Sequence, residues 1–351
     1  MTRVDARHVR VIAPNFKRRL SGVTATVVRL VPLQAADIAI AATGPVLPDH
    51  VPQFPLGRLI TMSRHGPDGP RLWHARRNLE MIGGLALKYL LGKRLKLVFT
   101  SASQRKQTGL TRWLIRQMDA VIATSDRTAA YLERPAQVIM HGIDLDGFAP
   151  ATDRAALRRS LVLPERARLI GCYGRIRASK GTDVFVQAML KVVKDHDAQA
   201  LIMGRAVPKD RAFLNAIKDR IAAEGAQDSF HFLPEVPVER MADWYRVLDL
   251  YVAPQRWEGF GLTPIEAMAC GVPVVATRVG AFEQIVTPET GALAPADAPD
   301  ALAEAVSAAL SDSAQMLNWA ENARRHVATR FSITREAAEL TALYERVLRE
   351  G

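Results

Sequence analysis

The amino-acid sequence predicts an α/β protein built from two doubly wound, Rossmann-like domains. Its 351 residues exceed what a single hydrophobic core usually organises. Short runs rich in Val and Ile alternate with amphipathic stretches of helical length, which is typical of a parallel sheet covered by helices. A turn-rich passage over residues 148–153 interrupts this alternation and indicates a linker. We therefore expect a first domain over residues 1–150 and a second over residues 151–351, with the last helix, residues 333–348, packing back on the first.

Five short strands are predicted in each domain, and helices follow most of them. The strands span residues 9–14, 37–42, 95–100, 119–123 and 137–140, then 168–173, 198–203, 230–233, 248–252 and 272–276. The clearest helices span residues 182–196, 209–224, 300–311 and 333–348. A passage rich in Ala, Pro and Asp around residues 292–300 is predicted to be a loop. Because such sheets bind ligands beside the carboxyl ends of their strands, we expect a cleft between the two domains.

Nothing in the sequence indicates a membrane span or a secretion signal. The apolar run over residues 81–91 is too short to cross a bilayer and contains Lys88. The first residues lack the apolar region of a signal peptide. Cys172 and Cys270 lie in apolar runs without disulfide or metal-ligand spacing, which favours buried, reduced thiols. A cytoplasmic protein is expected.

The excess positive charge of the chain lies in its first part. Residues 1–150 contain 22 Lys and Arg against 10 Asp and Glu, a balance of +12, whereas the remainder is close to neutral at −1. Such asymmetry favours a polyanionic partner, which could be nucleic acid, anionic lipid headgroups or an acidic sugar-lipid. A basic surface that only confers solubility is the alternative.

A glycine-bounded basic loop follows the predicted strand 168–173. It reads Gly174-Arg-Ile-Arg-Ala-Ser-Lys-Gly181 and precedes a helix. Backbone amides and the helix dipole favour an anion at such a place, where Arg175 can form paired bonds to phosphate oxygens and Lys180 supplies a point charge. A solvated basic turn is the alternative for this loop taken alone.

Two carboxylates bracket a second glycine-rich turn, Glu258-Gly-Phe-Gly-Leu-Thr-Pro-Ile-Glu266. Thr263 fits a helix N-cap, Pro264 fits the first helical position, and Gly271 fits the helix end. The glycines let a ligand approach the backbone. Thr263 and Glu266 have the spacing of a capping box, so Glu266 serves either a ligand or the helix end. Glu258 has no such structural role.

The order of these motifs resembles that of the retaining glycosyltransferases of family 4, which have GT-B architecture. The similarity continues through Leu233-Pro-Glu, Trp244-Tyr, Ala253-Pro and Val279-Gly-Ala and covers almost the whole second domain. It implies that Arg175 and Lys180 bind the donor diphosphate, that Glu266 binds the ribose hydroxyls, and that Glu258 contacts the transferred sugar. The amides that would complete this donor site belong to Gly259, Phe260, Gly261 and Leu262.

The first domain carries a fainter resemblance at residues 18–26, where Gly22 is expected to open a helix at the cleft. An ordinary loop is the alternative. With residues 15–23, 73–78, 99–105 and 139–144, the chain resembles the lipopolysaccharide core mannosyltransferases of alphaproteobacteria. That resemblance implies transfer of mannose from GDP-mannose to the Kdo region of a lipid A precursor at the inner face of the cytoplasmic membrane. Its acceptor carries carboxylates and phosphates, which suits a basic domain.

The acceptor-binding residues are expected among the basic side chains of the first domain. Lys17, Arg18 and Arg19 are placed at the mouth of the cleft, with Arg76, Arg77, Arg105 and Lys106 behind them. Many relatives have a histidine after the strand that here spans residues 95–100, and this sequence has Ser101-Ala-Ser instead. His74, expected in another loop near the cleft, is the candidate replacement, with a structural role as its alternative. His141 is assigned to the linker.

The expected chemistry uses no metal and no other cofactor, because Arg175, Lys180 and helix N-termini can neutralise the leaving diphosphate. A transferase of the same fold that uses a UDP-sugar on another glycolipid or polysaccharide precursor is one alternative. A noncatalytic protein that binds a nucleotide sugar or a polyanion is another. Nucleic-acid binding is disfavoured because basic and aromatic residues are not interleaved and Glu258 and Glu266 would have no purpose.

Overall fold

The computed structural model describes residues 4–18 and 22–350, and the chain forms two compact units. Unit 1 contains the residues up to Gly142 and those from Ile333 onward, and unit 2 contains Ile143–Ser332. The division therefore falls at Gly142, earlier than the turn-rich passage from which the boundary was predicted. The last helix belongs to unit 1, so this unit is discontinuous in sequence.

Unit 1 contains a six-stranded parallel sheet in the order β2-β1-β3-β4-β5-β6. Its strands are β1 (Val11–Pro14), β2 (Ile40–Thr43), β3 (Arg71–Ala75), β4 (Leu95–Ser101), β5 (Ala120–Ala123) and β6 (Gln137–Val138). The sequence did not predict β3, because Arg71 and His74 break its apolar pattern. The guanidinium of Arg71 is nevertheless buried, since it donates to the carbonyl oxygens of Val9 and Ser63 at 3.0 Å each.

Helices cover the sheet of unit 1. They are α1 (Gly22–Gln34), α2 (Arg58–Thr61), α3 (Asn78–Leu85), α4 (Gly109–Arg116), α5 (Asp126–Ala130) and the last helix of the chain, α14 (Ile333–Arg349). A single π-helical turn, Ala86–Leu90, continues α3. Leu340, Leu343 and Val347 recur at helical spacing on α14 and pack with Val11 and Ile40 in one core cluster. Burial of this apolar face fixes α14 to unit 1.

Unit 2 contains a second six-stranded parallel sheet in the order β12-β11-β10-β7-β8-β9. Its strands are β7 (Arg168–Tyr173), β8 (Ala198–Met203), β9 (Phe230–Leu233), β10 (Leu250–Ala253), β11 (Val274–Thr277) and β12 (Gly291–Ala294). The predicted loop around residues 292–300 is wrong in its first part, which forms β12. Small residues obscured this strand, and they are needed there because a Cβ at Gly291 would overlap the carbonyl oxygen of Val274.

The helices of unit 2 lie between and after these strands. They are α6 (Arg154–Ser160), α7 (Thr182–Asp195), α8 (Arg211–Ala223), α9 (Met241–Arg246), α10 (Leu262–Ala269), α11 (Phe282–Ile285), α12 (Pro299–Ser311) and α13 (Ser313–Arg330). Burial raises the pKa of Cys172 and of Cys270 to about 12, so both thiols stay protonated. In the described part of the chain, no helix has the length and apolarity that a membrane span requires.

Each sheet reverses its strand order once, and ligand sites of doubly wound sheets lie at such reversals. In unit 1 the chain builds β1 and β2 and then returns to place β3 on the other side of β1. In unit 2 it builds β7, β8 and β9 and returns to place β10 beside β7. The loops that leave β1 and β3, and those that leave β7 and β10, are therefore the positions at which each sheet can hold a ligand.

Candidate active site

Lys180 and Glu258 meet at the strand reversal of unit 2. Lys180 belongs to the loop after β7 and Glu258 to the loop after β10, and the Lys180 ammonium donates to Glu258 Oε2. The side chains keep 24% and 16% of their exposure, so the pair is partly shielded and still open to a ligand. The second carboxylate oxygen, Oε1, accepts from the Gly259 amide at 3.0 Å. The fold thus joins the two motifs that the sequence analysis had singled out separately.

Two glycines allow these loops to approach closely. Gly181 has a φ of +69°, and a Cβ there would overlap the carbonyl oxygen of Pro254 in the loop after β10. Gly261 has a φ of +94°, and a Cβ there would overlap the ring of Phe282. Both residues immediately precede helices, α7 and α10, so they also direct two helix N-termini to this edge of the sheet.

The start of α10 differs from the prediction. Gly261 occupies the N-cap position, which makes Thr263 the second helical residue and Pro264 the third. The predicted N-cap at Thr263 and helix start at Pro264 are wrong, because the positive φ of Gly261 lets the helix begin earlier. The helix ends as predicted at Gly271, whose φ is +73°.

Glu266 lies one turn inside α10 and cannot close a capping box with Thr263, because Thr263 is not the N-cap. Its Oε2 accepts a hydrogen bond of 2.8 Å from the hydroxyl of Tyr245. Burial, and then the neighbouring Glu266 carboxylate, raise the pKa of Tyr245, so this phenol remains a donor. The capping alternative is therefore wrong, and the carboxylate is held by a side chain of α9.

The remaining donor residues predicted in unit 2 belong to the same two loops as Lys180 and Glu258. Arg175 follows β7 after Gly174, and its side chain is exposed. The amides of Gly259 to Leu262 lead into α10, as the motif requires. The ring of Phe260 is buried and lies 6.5 Å from that of Phe331, so only its backbone can face a ligand. Arg177, whose Nε is buried without a hydrogen-bond partner, is a third cation of the loop after β7 beside Arg175 and Lys180.

Arg256 connects three loops at this edge, and sequence reasoning did not identify it. Its guanidinium donates to both oxygens of Asp183 at 2.7 and 2.8 Å, to Asp297 at 2.8 Å and to the carbonyl oxygen of Ala178 at 2.6 Å. The hydrogen bond to Asp183 is the main reason that the pKa of Arg256 is raised. The partners are 73 and 41 positions away in sequence, so no local pattern signals this cluster. It holds the loops after β7, β10 and β12 together.

The predicted acceptor residues lie in three neighbouring loops of unit 1. Lys17 and Arg18 follow β1, Arg76 and Arg77 follow β3, and Arg105 and Lys106 follow β4. Because β1, β3 and β4 are adjacent and parallel, these loops leave the same edge of the sheet. Lys17, Arg18, Arg105 and Lys106 are exposed. Gly22 begins α1, and Arg19 lies outside the described residues.

The guanidinium of Arg77 is bound within unit 1, as is that of Arg76, which donates to the carbonyl oxygen of His74 at 3.3 Å. Arg77 pairs with the buried Glu80 at 2.7 Å and donates to Asn15 Oδ1 at 2.9 Å. Glu80 Oε2 also accepts from the Arg76 amide at 2.7 Å. The arrangement ties the loop after β3 to the loop after β1, across the strand reversal.

His74 is not in a loop, and the prediction that it replaces the histidine of the relatives is wrong. It is the fourth residue of β3 and is 1% exposed. Its Nδ1 lies 2.6 Å from the Tyr344 hydroxyl and its Nε2 lies 2.7 Å from Thr100 Oγ1. Burial, and then Arg76, lower the pKa of His74 well below its usual value. His74 is therefore a neutral residue of the core.

His141 lies where the chain leaves unit 1, in agreement with its predicted place in the linker. Its Nδ1 lies 2.8 Å from Glu336 Oε1, and Oε2 of the same carboxylate accepts from the Gly142 amide at 2.8 Å. Glu336 is in the first turn of α14, close to the point where the chain returns to unit 1. One carboxylate therefore binds both the segment that leaves unit 1 and the helix that re-enters it.

Two parallel six-stranded sheets, one of which presents a basic loop and a Glu-x7-Glu turn at its strand reversal, define a glycosyltransferase of GT-B architecture. Sucrose-phosphate synthase from Thermosynechococcus elongatus shares the fold, with a TM-score of 0.79 at 23% identity over 98% of this chain and 100% of that one. The family model "Glycosyl transferases group 1" matches residues 153–326. The predicted GT-B fold and the glycosyltransferase class are thus confirmed.

Two relatives match the whole chain rather than one unit. Lipopolysaccharide core biosynthesis mannosyltransferase LpsB of Rhizobium meliloti (strain 1021) is 47% identical over 352 residues, which is 99% of this chain and 100% of the relative. Lipopolysaccharide core biosynthesis mannosyltransferase LpcC of Rhizobium leguminosarum bv. viciae is 47% identical over 98% of both chains. The chain belongs to the glycosyl transferases group 1 family, together with these two proteins, and it is a glycosyltransferase.

Proposed function

We propose that this enzyme transfers mannose from GDP-mannose, with retention of configuration, to the Kdo region of a membrane-borne lipid A precursor. The observation that carries the proposal is the Lys180–Glu258 pair at the strand reversal of unit 2. It occurs in a chain that is 47% identical, end to end, to two proteins named as lipopolysaccharide core mannosyltransferases. Because the identity to these two proteins covers both units, the similarity is not limited to the donor motifs of unit 2.

In this proposal unit 2 holds the donor. Arg175 and Lys180 bind the diphosphate oxygens, where charge-assisted bonds are strongest. Glu258, oriented by Lys180 and the Gly259 amide, accepts from hydroxyls of the transferred sugar. Glu266, oriented by Tyr245, accepts from the ribose hydroxyls. The N-terminus of α10 adds backbone amides and a favourable dipole for the phosphates.

The chemical step breaks the bond between the sugar C1 and the diphosphate oxygen and forms a bond from C1 to the acceptor hydroxyl oxygen. Positive charge develops on the sugar while negative charge develops on the leaving diphosphate. Arg175 and Lys180 stabilise that diphosphate, and its oxygen accepts the proton that the acceptor hydroxyl loses. The products are GDP and the mannosylated acceptor. The two cations provide the charge neutralisation, so the proposal includes no metal and no other cofactor.

Unit 1 holds the acceptor in this proposal. The exposed side chains of Lys17, Arg18, Arg105 and Lys106 follow adjacent strands, so one edge of the sheet presents several cations. Kdo carboxylates and lipid A phosphates are anions that match these cations. Such an acceptor is embedded in a bilayer, so the enzyme works at the anionic inner face of the cytoplasmic membrane.

The test is a reconstituted reaction with a Kdo-containing lipid A precursor and a panel of GDP-, UDP- and ADP-sugars, with products read by mass spectrometry. GDP-mannose is expected to add the mass of one hexose, whose α configuration is read by NMR, and Lys180→Ala is expected to abolish the product. Turnover of a UDP-sugar instead would overturn the donor assignment. Binding of GDP-mannose without turnover on any acceptor would favour a noncatalytic sugar-nucleotide-binding protein.

A further inference from the structure

An apolar groove lies open on the surface of unit 1. Its volume is about 400 Å³, and nearly all of its lining is apolar. The side chains that line it include Phe16, Leu56, Ile60, Leu87, Leu90 and Leu91. Leu90 is 82% exposed and Ile60 is 64% exposed, values that are unusual for side chains of this size.

The groove continues along the outer face of α3. Leu79 and Ile82 are exposed at positions i and i+3 of this helix, while Met81 and Leu85 on its other face are buried in the core. A helix that is apolar on both faces needs a second apolar environment beyond the core of its own domain. The π-helical turn Ala86–Leu90 extends the same strip to Leu90. Together with Leu56, Ile60 and Leu91, these side chains form one exposed apolar face, called here the α3 face.

The segments that build the α3 face carry mostly positive charge. Residues 52–66 and 79–97, which build it, contain one acidic residue, Glu80, and that carboxylate is buried against Arg77. Arg58, Arg64 and Arg94 in the same segments are exposed. The backbone amide of Arg94 donates to the carbonyl oxygen of Arg64 at 2.8 Å, and the Arg64 guanidinium lies beside Gly92, the residue after Leu91.

We propose that the α3 face docks into the interfacial layer of an anionic bilayer. Exposed apolar side chains in segments that also present exposed cations match a surface whose interior is hydrocarbon and whose headgroups are negative. A folded protein partner of ordinary composition would also meet the apolar side chains but would need an acidic rim. Phe16 joins the groove to Lys17 and Arg18, so docking places the loop after β1 at headgroup level, where a lipid-linked acceptor presents its sugars.

The inference deepens the proposed function only in assuming that the acceptor is lipid-linked, and it is tested separately from catalysis. The full chain is floated with vesicles of phosphatidylglycerol and phosphatidylcholine, then with phosphatidylcholine alone. An Ile60→Asp/Leu90→Asp variant is expected to lose vesicle binding at least about tenfold, because two apolar side chains no longer insert and two negative charges face an anionic surface. A matched control is Val162→Asp/Leu317→Asp, which changes two exposed apolar residues of unit 2 and is expected to bind like the wild type.

Turnover on a deacylated, water-soluble acceptor separates docking from chemistry. The Ile60→Asp/Leu90→Asp variant is expected to keep this turnover and its melting temperature while losing turnover on vesicle-embedded acceptor. If the variant floats with vesicles as well as the wild type does, the docking proposal is overturned and the proposed function is unaffected. A third outcome is that the wild type sediments as a dimer, the variant sediments as a monomer, and neither binds vesicles. That result would assign the α3 face to contact with a second copy of the chain and would also overturn the docking proposal. Loss of turnover by the wild type on every acceptor would contradict the proposed function alone.

Discussion

At the scale of single residues, the donor site is a set of charged side chains that orient one another. Lys180 and Glu258 form an ion pair, and each is proposed to touch a different part of the donor, the diphosphate and the sugar. Tyr245 orients Glu266 as Lys180 orients Glu258, because its hydroxyl donates to one oxygen of the Glu266 carboxylate at 2.8 Å. Such mutual support reduces the rearrangement needed when a ligand binds.

Removal of either cation of the loop after β7 should weaken binding of the leaving group. Lys180→Ala and Arg175→Ala are each expected to lower GDP affinity about 10- to 100-fold, because a charge-assisted hydrogen bond contributes about 1.5–3 kcal/mol. Isothermal titration calorimetry with GDP measures the change. Lys191→Ala is the control, since Lys191 is an exposed lysine of α7 paired only at the surface with Asp300. Unchanged GDP affinity in both variants would remove these residues from the donor site.

Glu266 and Tyr245 are expected to act together on the nucleoside. Glu266→Gln removes the charge and should raise the KM for GDP-mannose severalfold at an unchanged melting temperature. Tyr245→Phe keeps the buried ring but removes the donor, so it should raise KM in the same direction by a smaller factor. Steady-state kinetics with a soluble acceptor measures both. A variant that loses only thermal stability, with normal KM, would show that the contact supports the fold and not the ligand.

At the scale of elements, the loops after β7, β10 and β12 are held by Arg256. The guanidinium is only partly buried, yet it forms paired bonds with Asp183 in the first turn of α7. This connects α7 to the segment that carries Glu258, two residues further on. We regard Arg256 as a positioning residue, because its guanidinium is engaged by Asp183, Asp297 and the carbonyl oxygen of Ala178.

Loss of this clamp should misplace the Lys180–Glu258 pair without unfolding unit 2. Arg256→Ala is expected to lower kcat/KM for GDP-mannose on the order of tenfold, with kcat affected as well as KM, since misplacement costs transition-state contacts. Asp183→Asn should have a smaller effect, and the two changes together should be less than additive. Arg159→Ala breaks a surface ion pair with Glu165 and is the control. Additive losses that appear only near the melting temperature would contradict a positioning role.

His74 makes the stability of unit 1 depend on pH. Its folded pKa is lowered, so the unfolded chain binds a proton that the folded chain excludes below the unfolded pKa of about 6.5. The stabilisation is present above that value and is lost as pH falls towards the folded pKa, with a slope of at most about 1.4 kcal/mol per pH unit. Urea unfolding of the wild type and His74→Gln between about pH 5 and pH 8 measures the difference in slope. Parallel curves would show that another group takes up the proton.

At the scale of the whole molecule, charge and function divide between the units. The basic excess lies in residues 1–150, while the rest of the chain is nearly neutral. The proposed donor motifs all lie in unit 2, and the exposed cations at the strand reversal of unit 1 lie in loops of another sheet. The two substrates can therefore be perturbed separately by changing charges in one unit.

A Lys17→Ala/Arg18→Ala/Arg19→Ala variant should raise the KM for an anionic acceptor and leave GDP affinity near normal. The affinity of the wild type for the anionic acceptor should also fall as salt is raised, because the Debye length falls from about 10 Å at 0.1 M to about 3 Å at 1 M. A Lys191→Ala/Lys194→Ala/Lys209→Ala variant removes three exposed cations from unit 2 and serves as the control. If the first variant loses GDP binding, the loop after β1 belongs to the donor site. If its acceptor kinetics are normal, the basic residues of unit 1 form only a solvated surface.

The sequence alone predicted the features that depend on neighbouring residues. Strands β7, β8 and β9 were located to the residue, because an apolar run bounded by turns is a local signal. The basic loop, the Glu-x7-Glu turn and the end of α10 at Gly271 were also predicted correctly, because glycine permits a positive φ where other residues are strained and proline fixes φ. The family followed from the order of these motifs. The roles of individual residues towards ligands stay predictions.

The tertiary structure decided whatever depends on distant partners. Arg71 and His74 hide β3 from a hydrophobic pattern, yet they are buried because carbonyl and hydroxyl groups from other segments satisfy them. Arg256 and its partners, and the pairing of Lys180 with Glu258 across 78 positions, arise from strand order. The α3 face also emerged only in three dimensions, since an apolar sequence does not state which side chains the core will cover. Local periodicity determines elements, and the packing of those elements determines which side chains meet.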